Sequence, residues 1–390
     1  MVYTNYNSSF PDQVVPDAVK NSYEYGLQVA QAIENEWFNQ DYSGDRYLQN
    51  FQNFHRLRLY ARGEQPIQKY KDELSINGDL SYLNLDWKIV PILPKFVDII
   101  VNGMTDKGYE IKSFATDPFA TKERTEFAFR ALRDIINREY IEKLNEATGQ
   151  NFFSTAQPDQ LPASKDELDL YLQLNYKQAI EVAEEETINN VFDYNKYDET
   201  KRRIAYDLAV LGIGASKTNF NLSEGVTLDY VDPASMVYSY TEDPNFNDIY
   251  YVGEVKNLTI SEVKRLYPEL TDSDLKEIQK YKGPASYTNY VRNYGGQDDY
   301  NLIPVLFFEY KTYTNQVFKV KRTDQGLEKT IEKDDTFNPP ENDNFERVSR
   351  SIEVLYTGAK VLGMSKVIRW QLSENMTRPY GDVTKVNMNY

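Results

Sequence analysis

AYDLAVLGIGASKTNFNLSEGVTLDYVDPASMVYSY, residues Ala205–Tyr240, is the stretch at which the chain passes from helical to strand-like sequence. Ile204, Leu208 and Leu211, with Ala205 beside them, recur at helical spacing, which predicts a helix from about Asp198 to Leu211 with one buried face. Gly212 stops it, because a glycine just past the last periodic residue can take the left-handed conformation of a C-cap. Gly214 adds a second flexible point, so Gly212 and Gly214 read as a hinge. Ser216 to Leu222 extends as a strand and Ser223-Glu224-Gly225 turns it back. Val226, Leu228 and Tyr230 then alternate with Thr227, Asp229 and Val231 in a half-buried return strand. Asp232-Pro233 ends the hairpin, since proline cannot donate to the ladder.

Gly212, Gly214 and Lys217 lie close enough together to raise the question of a phosphate loop. The order of elements answers it. A Walker loop runs strand, glycine-rich loop closing in Gly-Lys-Ser/Thr, then helix, so that amides at the helix start face the phosphates; here a helix precedes the glycines and a strand follows. The dinucleotide fingerprint fails for the same reason, and the segment reads as helix, hinge and hairpin with no cofactor.

Composition narrows the chemistry. A chain of 390 residues can bury a large core and ordinarily makes two or three domains. The mean hydropathy is -0.65, no apolar run approaches the roughly 20 residues that span a bilayer, and the N-terminus lacks the basic and apolar regions of a signal peptide. Synthesis in the cytoplasm and no membrane partner are the expectation. There are no cysteines and one histidine, His55, which removes disulfides, thiol nucleophiles, thiolate zinc sites and multi-histidine metal sites. His55 sits between Phe54 and Arg56 in a predicted helix, and an ordinary surface or packing role is expected for it. The 44 Lys and Arg against 60 Asp and Glu give a net charge of -16, which speaks against DNA binding through a broadly basic surface. The 32 tyrosines and 19 phenylalanines fit either wet protein interfaces or ordinary cores and surfaces.

Upstream of the opening stretch the sequence is helical. Met1 to about Pro16 reads as a flexible or extended arm. Asp17 caps a predicted helix to about Asn39 with Tyr23, Leu27, Ala30 and Ile33 near one face, Asp41 to Gly44 makes a loop, and a second helix from about Arg46 is closed by Gly63. Pro94 opens a short helix with Phe96, Ile99 and Ile100 inward and Gly103 at its end. Asp117-Pro118 starts a helix that continues through Phe127, Ala131, Ile135 and Leu144. Its arginines, Arg124, Arg130, Arg133 and Arg138, read as a solvated face or as contacts to acidic neighbours or phosphate. Gly149 to Pro162 is a loop. Ser164 and Glu167 form a capping box for one long helix carrying Leu168, Leu172, Tyr176, Ala179, Ala183, Thr187 and Val191. Glu184, Glu185 and Glu186 on it point about 100° apart in succession and read as solvated.

Downstream, Ile249 to Val252 is a strand, Thr259 with Glu262 boxes the start of a short helix that Pro268 stops, and Thr271 restarts a helical turn to Tyr281. Ala285 to Asp299 is a surface loop. Leu302 to Tyr313 is an aromatic strand, Thr314-Asn315-Gln316 turns a second strand back on it, and Asp324 to Phe345 is a charged excursion. Ile352 to Tyr356 and Val367 to Trp370 are strands around Thr357-Gly358. Val383 to Tyr390 alternates apolar and polar and suggests a chain that continues.

The succession LGIGASKT, LDYVDPASM, YYVGEVKNLTISEVKRLYPEL and PVLFFEYKTY, preceded by FHRLRLYARGEQPIQKYKDEL and NLDWKIVPILPKFVDIIVNGM, resembles the portal proteins of tailed bacteriophages, most of all those of short-tailed, crAss-like phages. The resemblance covers most of the chain and lies in the co-occurrence and order of these strings. It implies an α+β, portal-like fold: a helix-rich wing with β-hairpins over residues 1–255, stem-like helices and a loop over 256–300, a small β-rich clip over 301–372, and the start of a return segment over 373–390. Pro268 departs from the family by interrupting the stem helix, and the chain stops where the family has a second stem helix and a crown.

The resemblance further implies a structural virion protein with no enzymatic activity. Such proteins form dodecameric rings at one capsid vertex, the head-tail junction, after assembly in the host cytoplasm. They contact the major capsid protein, the terminase motor and tail adaptor proteins, and pass double-stranded DNA during packaging and ejection without sequence-specific binding. Net negative charge suits a channel in which DNA must slide. Phe307, Phe308, Tyr310, Tyr313 and Phe318 are candidate ring or adaptor contacts, with ordinary sheet core as the other reading. Two rival functions remain: another neck or adaptor virion protein, and a magnesium-dependent nuclease using the carboxylates Asp229, Asp232 and Glu254, since Mg²⁺ needs neither His nor Cys.

Overall fold

The structure is a computed structural model and describes residues 10–38, 46–64, 67–75, 86–106, 108, 110–154, 162, 165–174, 176–221, 225–281, 302–323, 326–339 and 345–373. The chain is α+β. Its helices are α1 (Asp17–Lys20), α2 (Tyr23–Phe38), α3 (Arg46–Ala61), α4 (Ile67–Leu74), α5 (Leu93–Thr105), α6 (Pro118–Ile136), α7 (Arg138–Thr148), α8 (Lys165–Leu174), α9 (Ala179–Tyr194), α10 (Tyr197–Leu211), α11 (Ile260–Leu266) and α12 (Asp272–Ile278). Its strands are β1 (Ala215–Asn221), β2 (Gly225–Val231), β3 (Met236–Tyr238), β4 (Tyr251–Leu258), β5 (Ile303–Thr323), β6 (Gly326–Lys333), β7 (Phe345–Val361) and β8 (Val367–Leu372). No helix among the described residues is long and apolar enough to cross a membrane. Two compact units emerge: Met1–Val101 with Arg203–Phe220 and Tyr230–Tyr390, and Asn102–Arg202 with Asn221–Asp229.

The first unit is built on an antiparallel sheet in the order β3-β4-β5-β7-β8, with β6 paired to the far half of β5. Strand side chains alternate between faces, and the register sets which side each residue serves. Leu306, Phe308 and Tyr310 of β5, Tyr356 of β7 and Trp370 of β8 share one face and bury Tyr25, Val29, Ile33 and Trp37 of α2 in a single core. Val305, Ala359, Val361 and Ile368 occupy the other face and pack under Val263 of α11 and Ile278 of α12. Gly358 sits mid-strand because the Phe308 ring covers it: a Cβ there would lie 2.3 Å from Phe308 Cζ.

The second unit is helical, with a small apolar cluster of Ala131 and Leu168 ringed by Phe127, Leu132, Ile135 and Leu172. Polar hubs supplement it. Glu181 is 1% exposed and accepts from the amides of Ala115 and Gln178, both at 2.9 Å, and from the Arg124 guanidinium. Asp134, also 1% exposed, accepts from the Ser154 amide at 2.8 Å.

Several expectations are borne out. Asp117 caps α6 through the amides of Phe119 and Ala120 with Pro118 at the first helical position, and Thr259–Glu262 is a full capping box for α11. A second box, Thr271–Asp274, opens α12, and Pro268 separates these two helices.

Others need correction. Asp17 does not cap: Pro16 precedes a four-residue α1, and the chain breaks at Asn21 and Ser22 before α2. Residues 10–16 are no free arm, for Phe10 stacks 6.0 Å from Tyr310 and Gln13 donates to the Tyr310 hydroxyl at 3.1 Å. Phe96, Ile99 and Ile100 of α5 face outward at 55%, 58% and 51% exposure, leaving Val101 as that helix's buried residue, and Gly103 lies inside the helix. The helix from Asp117 is two helices that break at Asn137, and the long helix over 165–194 is interrupted before the Gln178–Glu181 capping box that starts α9. Glu184 and Glu185 are engaged: Ser113 donates its hydroxyl to Glu184 and its amide to Glu185, which also pairs with Lys177.

Thr314-Asn315-Gln316 is not a turn. These residues pair with Ile352, Ser351 and Arg350, and β5 runs straight through them. Gly326–Lys333 within the charged excursion is strand β6, and Thr357-Gly358 lies within β7, the real turn being at Gly363 with φ +81°. The proposed turn at Ser223-Glu224, the loop at Asp41 to Gly44, the Ser164 cap, the loop at Ala285 to Asp299 and the last segment from Val383 lie outside the described residues.

Candidate functional site

The hairpin approaches the sheet by a defined route. The periodicity of Ile204, Leu208 and Leu211 ends α10 at Gly212, whose φ of +79° is left-handed and whose amide donates to Leu208 O at 3.2 Å. Gly214 is required by closeness rather than by freedom: a Cβ there would meet Ile204 Cγ2 at 2.8 Å and Leu208 Cγ at 3.1 Å. With the strand launched from that packed point, Lys217 of β1 comes to lie with its ammonium 5.7 Å from the Phe307 ring centroid.

Between β1 and this face of the sheet is a cleft of about 250 Å³, with Lys217, Tyr267, Phe307, Glu309, Thr357, Arg369 and Gln371 among its walls. A smaller cavity of about 110 Å³, bounded by Met236, Val252 and Glu254, shares Lys217, Phe307 and Glu309 with it. Arg369 donates to Gln371 Oε1 at 2.8 Å. Two cations, one carboxylate and an aromatic floor suit it to gripping an amphipathic side chain or a carboxylate; it holds no pairing of a nucleophile with a histidine base, because His55 stands on α3 against Phe51.

Beside the hairpin base is a charged network that the sequence did not reveal. Arg58 of α3 forks onto Asp232, with Nη2 to Oδ1 at 2.7 Å and Nη1 to Oδ2 at 3.0 Å, and reaches Asp207 of α10 at 3.0 Å. The Tyr230 hydroxyl donates to Asp207, and the Arg203 guanidinium lies 4.0 Å from the Tyr230 ring centroid. Such bidentate, charge-assisted bonds fix geometry as well as energy. Burial opposes ionisation of Asp232, but the Arg58 guanidinium and the Ala234 amide outweigh it and hold the carboxyl below its ordinary range. Burial, followed by the bond to Asp207, pushes the Tyr230 hydroxyl well above its ordinary value. The arrangement clamps the end of β2 and the Pro233–Ser235 turn to α3 and α10. One signal was available: Asp207 lies three residues from Ile204 and four from Leu211, so it shares their inward face, and a carboxylate there needs a cationic partner.

Two residues of the nuclease reading have other engagements: Asp232 is taken up by Arg58, and Glu254 lies on β4 with Lys256 at 3.1 Å. Among the described residues no group of three or more His, Cys, Asp or Glu could hold a metal ion. The aromatic candidates divide: Phe308 and Tyr310 are buried in the α2 core at 2% and 0% exposure, Phe307 floors the cleft, Tyr313 is 48% exposed, and Phe318 is half-buried beneath Arg350. Glu309 and Arg369 were missed because only the sheet register brings them together.

Compared with known proteins, the chain matches no family model, and no curated protein matches it.

Proposed function

We propose that this chain is a portal-type subunit, a structural virion protein that closes into a twelve-membered ring at one capsid vertex. In that role it passes double-stranded DNA and docks the packaging motor and tail adaptors. The observation that carries the reading is the succession, among the described residues, of α10, the left-handed Gly212, β1 and β2, the Asp232-Pro233 turn, β3, β4, the capped α11 and α12, and the aromatic β5, which follows the order of the portal-like strings in the sequence. On this reading residues 1–255 correspond to the wing, α11 and α12 to the start of the stem, and β5 to β8 to the clip.

Exposed apolar side chains support an assembling protein. Phe119, Val90, Ile136, Tyr140 and Phe129 are 68–82% exposed, and on this reading they are candidates for contacts with neighbouring subunits. Nothing in the cleft or the Arg58 network demands a chemical step, in keeping with a protein whose work is geometric. Native mass measurement of the purified chain, with capsid protein added as a nucleating partner, tests the proposal. A twelve-subunit species is the expected result. A strictly monomeric chain under all conditions, or DNA cleavage in Mg²⁺ that Asp232→Ala abolishes, would sink it.

A further inference from the structure

On the sheet face turned away from α2, the register sets three kinds of side chain in order. Val252 of β4 lies opposite Glu309 of β5, Glu309 opposite Thr357 of β7, and Thr357 opposite Gln371 of β8. In the neighbouring row Phe307 lies opposite Ala359, and Ala359 opposite Arg369. Directly paired residues share a face. The surface therefore runs from apolar over β4, through a carboxylate on β5, to an amide and a guanidinium on β8. The cavity of about 110 Å³ lies at the apolar end, among Val231, Met236 and Val252, and the cleft of about 250 Å³ at the charged end. They meet at Lys217, Phe307 and Glu309. Glu254, also at the smaller cavity, has the Lys256 ammonium 3.1 Å away.

The charges around the cleft leave one another alone. Among the described residues the Glu309 carboxylate has neither a hydrogen bond nor an ion pair, and Lys217 meets the Phe307 ring but no acid. Arg369 donates to Gln371 at 2.8 Å without pairing with a carboxylate among those residues. Glu309 and Lys217 are half-buried, where an unmatched charge is costly. Tyr267, 5% exposed, walls the same cleft with a hydroxyl that has no hydrogen-bond partner among the described residues. Burial pushes that hydroxyl up to about 12 against the opposing Arg369 guanidinium, so it is a donor at neutral pH.

We propose that the cleft binds a free aliphatic α-amino acid, with its side chain in the smaller cavity, its ammonium on Glu309, and its carboxylate on Arg369, Gln371 and Lys217. The order apolar, negative, positive across the sheet complements the order side chain, ammonium, carboxylate in such a molecule. Glu309 and Gln371 lie two strand spacings apart, about 9.6 Å. Charge-assisted bonds of about 2.8 Å at either end leave roughly 4 Å for the ligand, which suits charges carried on adjacent carbons. Size selects the side chain: about 110 Å³ is below the ~150 Å³ of a cavity that holds benzene, so an aliphatic group fits better than an aromatic one. The cleft is likewise smaller than the ~300–1,000 Å³ of sites for drug-sized ligands. Every residue named belongs to the sheet unit of one chain, so binding does not depend on ring formation.

The test is isothermal titration calorimetry of the purified full chain with L-leucine, N-acetyl-L-leucine, L-leucinamide, glycine and L-phenylalanine. A leucine Kd of about 10 μM to 1 mM is expected for a ligand of about nine non-hydrogen atoms. Removing either charge, by acetylation or amidation, should weaken binding about 10- to 100-fold, and glycine and phenylalanine should both bind less tightly than leucine. Glu309→Gln should weaken leucine about tenfold or more while leaving N-acetyl-leucine unchanged, and Arg369→Gln should do the same while leaving leucinamide unchanged. Lys122→Gln on α6 leaves every arm unaltered. Absence of binding at about 10 mM leucine, or leucine affinity unmoved by both substitutions, overturns the proposal. N-acetyl-leucine binding as tightly as leucine would assign the cleft to a carboxylate alone, such as a peptide C-terminus, and leucinamide doing so would assign it to a cation; either overturns it. So does glycine or phenylalanine matching leucine. The ligand series on the unsubstituted chain decides the matter even where a variant fails to fold.

Discussion

The two units achieve cohesion by different physics. The sheet unit gathers 17 buried residues in one cluster, from Tyr25 and Trp37 on α2 to Phe308, Tyr356 and Trp370 on the sheet. Among the described residues the helical unit has Ala131 and Leu168 as the buried members of its apolar cluster and places two carboxylates, Glu181 and Asp134, at 1% exposure. Apolar burial is non-directional and nearly indifferent to pH; a buried carboxylate works only while ionised and fully donated to. The α2–sheet core should therefore resist acid and suffer from cavities, and the helical unit the reverse, while the Arg58–Asp207–Asp232 network of the first unit shares the helical unit's need for ionised carboxylates.

The strongest way to break that contrast is Trp370→Ala. Trp370 stacks 4.9 Å from Tyr356 and donates its indole N–H to Lys20 O at 2.7 Å, so truncation should cost about 3–5 kcal/mol in urea unfolding followed through the sheet unit. A loss below about 1 kcal/mol would mean that the core is not cohesive around this ring.

Glu181→Gln comes next. It keeps the shape but weakens three bonds to one group, and a cost of about 1–3 kcal/mol is expected. Hydrogen exchange should show it first at the Ala115 and Gln178 amides; unchanged protection there would deny Glu181 its role as a hub.

The pH dependence sharpens the same comparison. Burial opposes ionisation of Glu181, yet the Gln178 and Ala115 amides and Arg124 lower its pKa below the ordinary 4.5, and Lys177 with the Ser113 amide lowers that of Glu185. A depressed carboxylate contributes stability that is complete above the unfolded pKa and is lost as pH falls through the folded one. Helical-unit protection should hold at pH 6 and decline from about pH 4.5 downward, before the α2–sheet core responds. Simultaneous loss would contradict the division.

The smallest effect is expected from the ion pair inside the sheet unit. Lys360 is 1% exposed and pairs with Glu34, which also accepts from the Gly363 amide at 2.9 Å. Burial, partly offset by Glu34, lowers the Lys360 pKa. Replacing a buried pair with groups of similar volume is often neutral, so Lys360→Met with Glu34→Gln should stay within about 1 kcal/mol of the parent; a loss of several would make the pair a principal stabiliser.

Punctuation residues decided what the sequence made legible. The passage from α10 to β2 was readable because Gly212, Gly225 and Pro233 mark its ends, and the caps at Asp117, Thr259 and Thr271 are local chemistry. Polar or glycine residues that belong to strands misled: Thr314-Asn315-Gln316 has turn-like composition, but Gln316 is 6% exposed and bonds Glu332 and Arg350 across both neighbouring strands. Gly358 looked like a turn and is instead the space into which Phe308 fits. The helix breaks at Asn137 and before Gln178 left no proline or glycine to find. Partners far apart in sequence were the least legible, since Arg58 meets Asp207 across 149 positions and Asp232 across 174.

The portal reading is tested most directly by projection images of the assembled protein viewed down its axis. It requires closed rings of twelve subunits around an open channel wide enough for duplex DNA. Rings of another symmetry, open fibres, or a ring whose centre is filled by packed protein would contradict it.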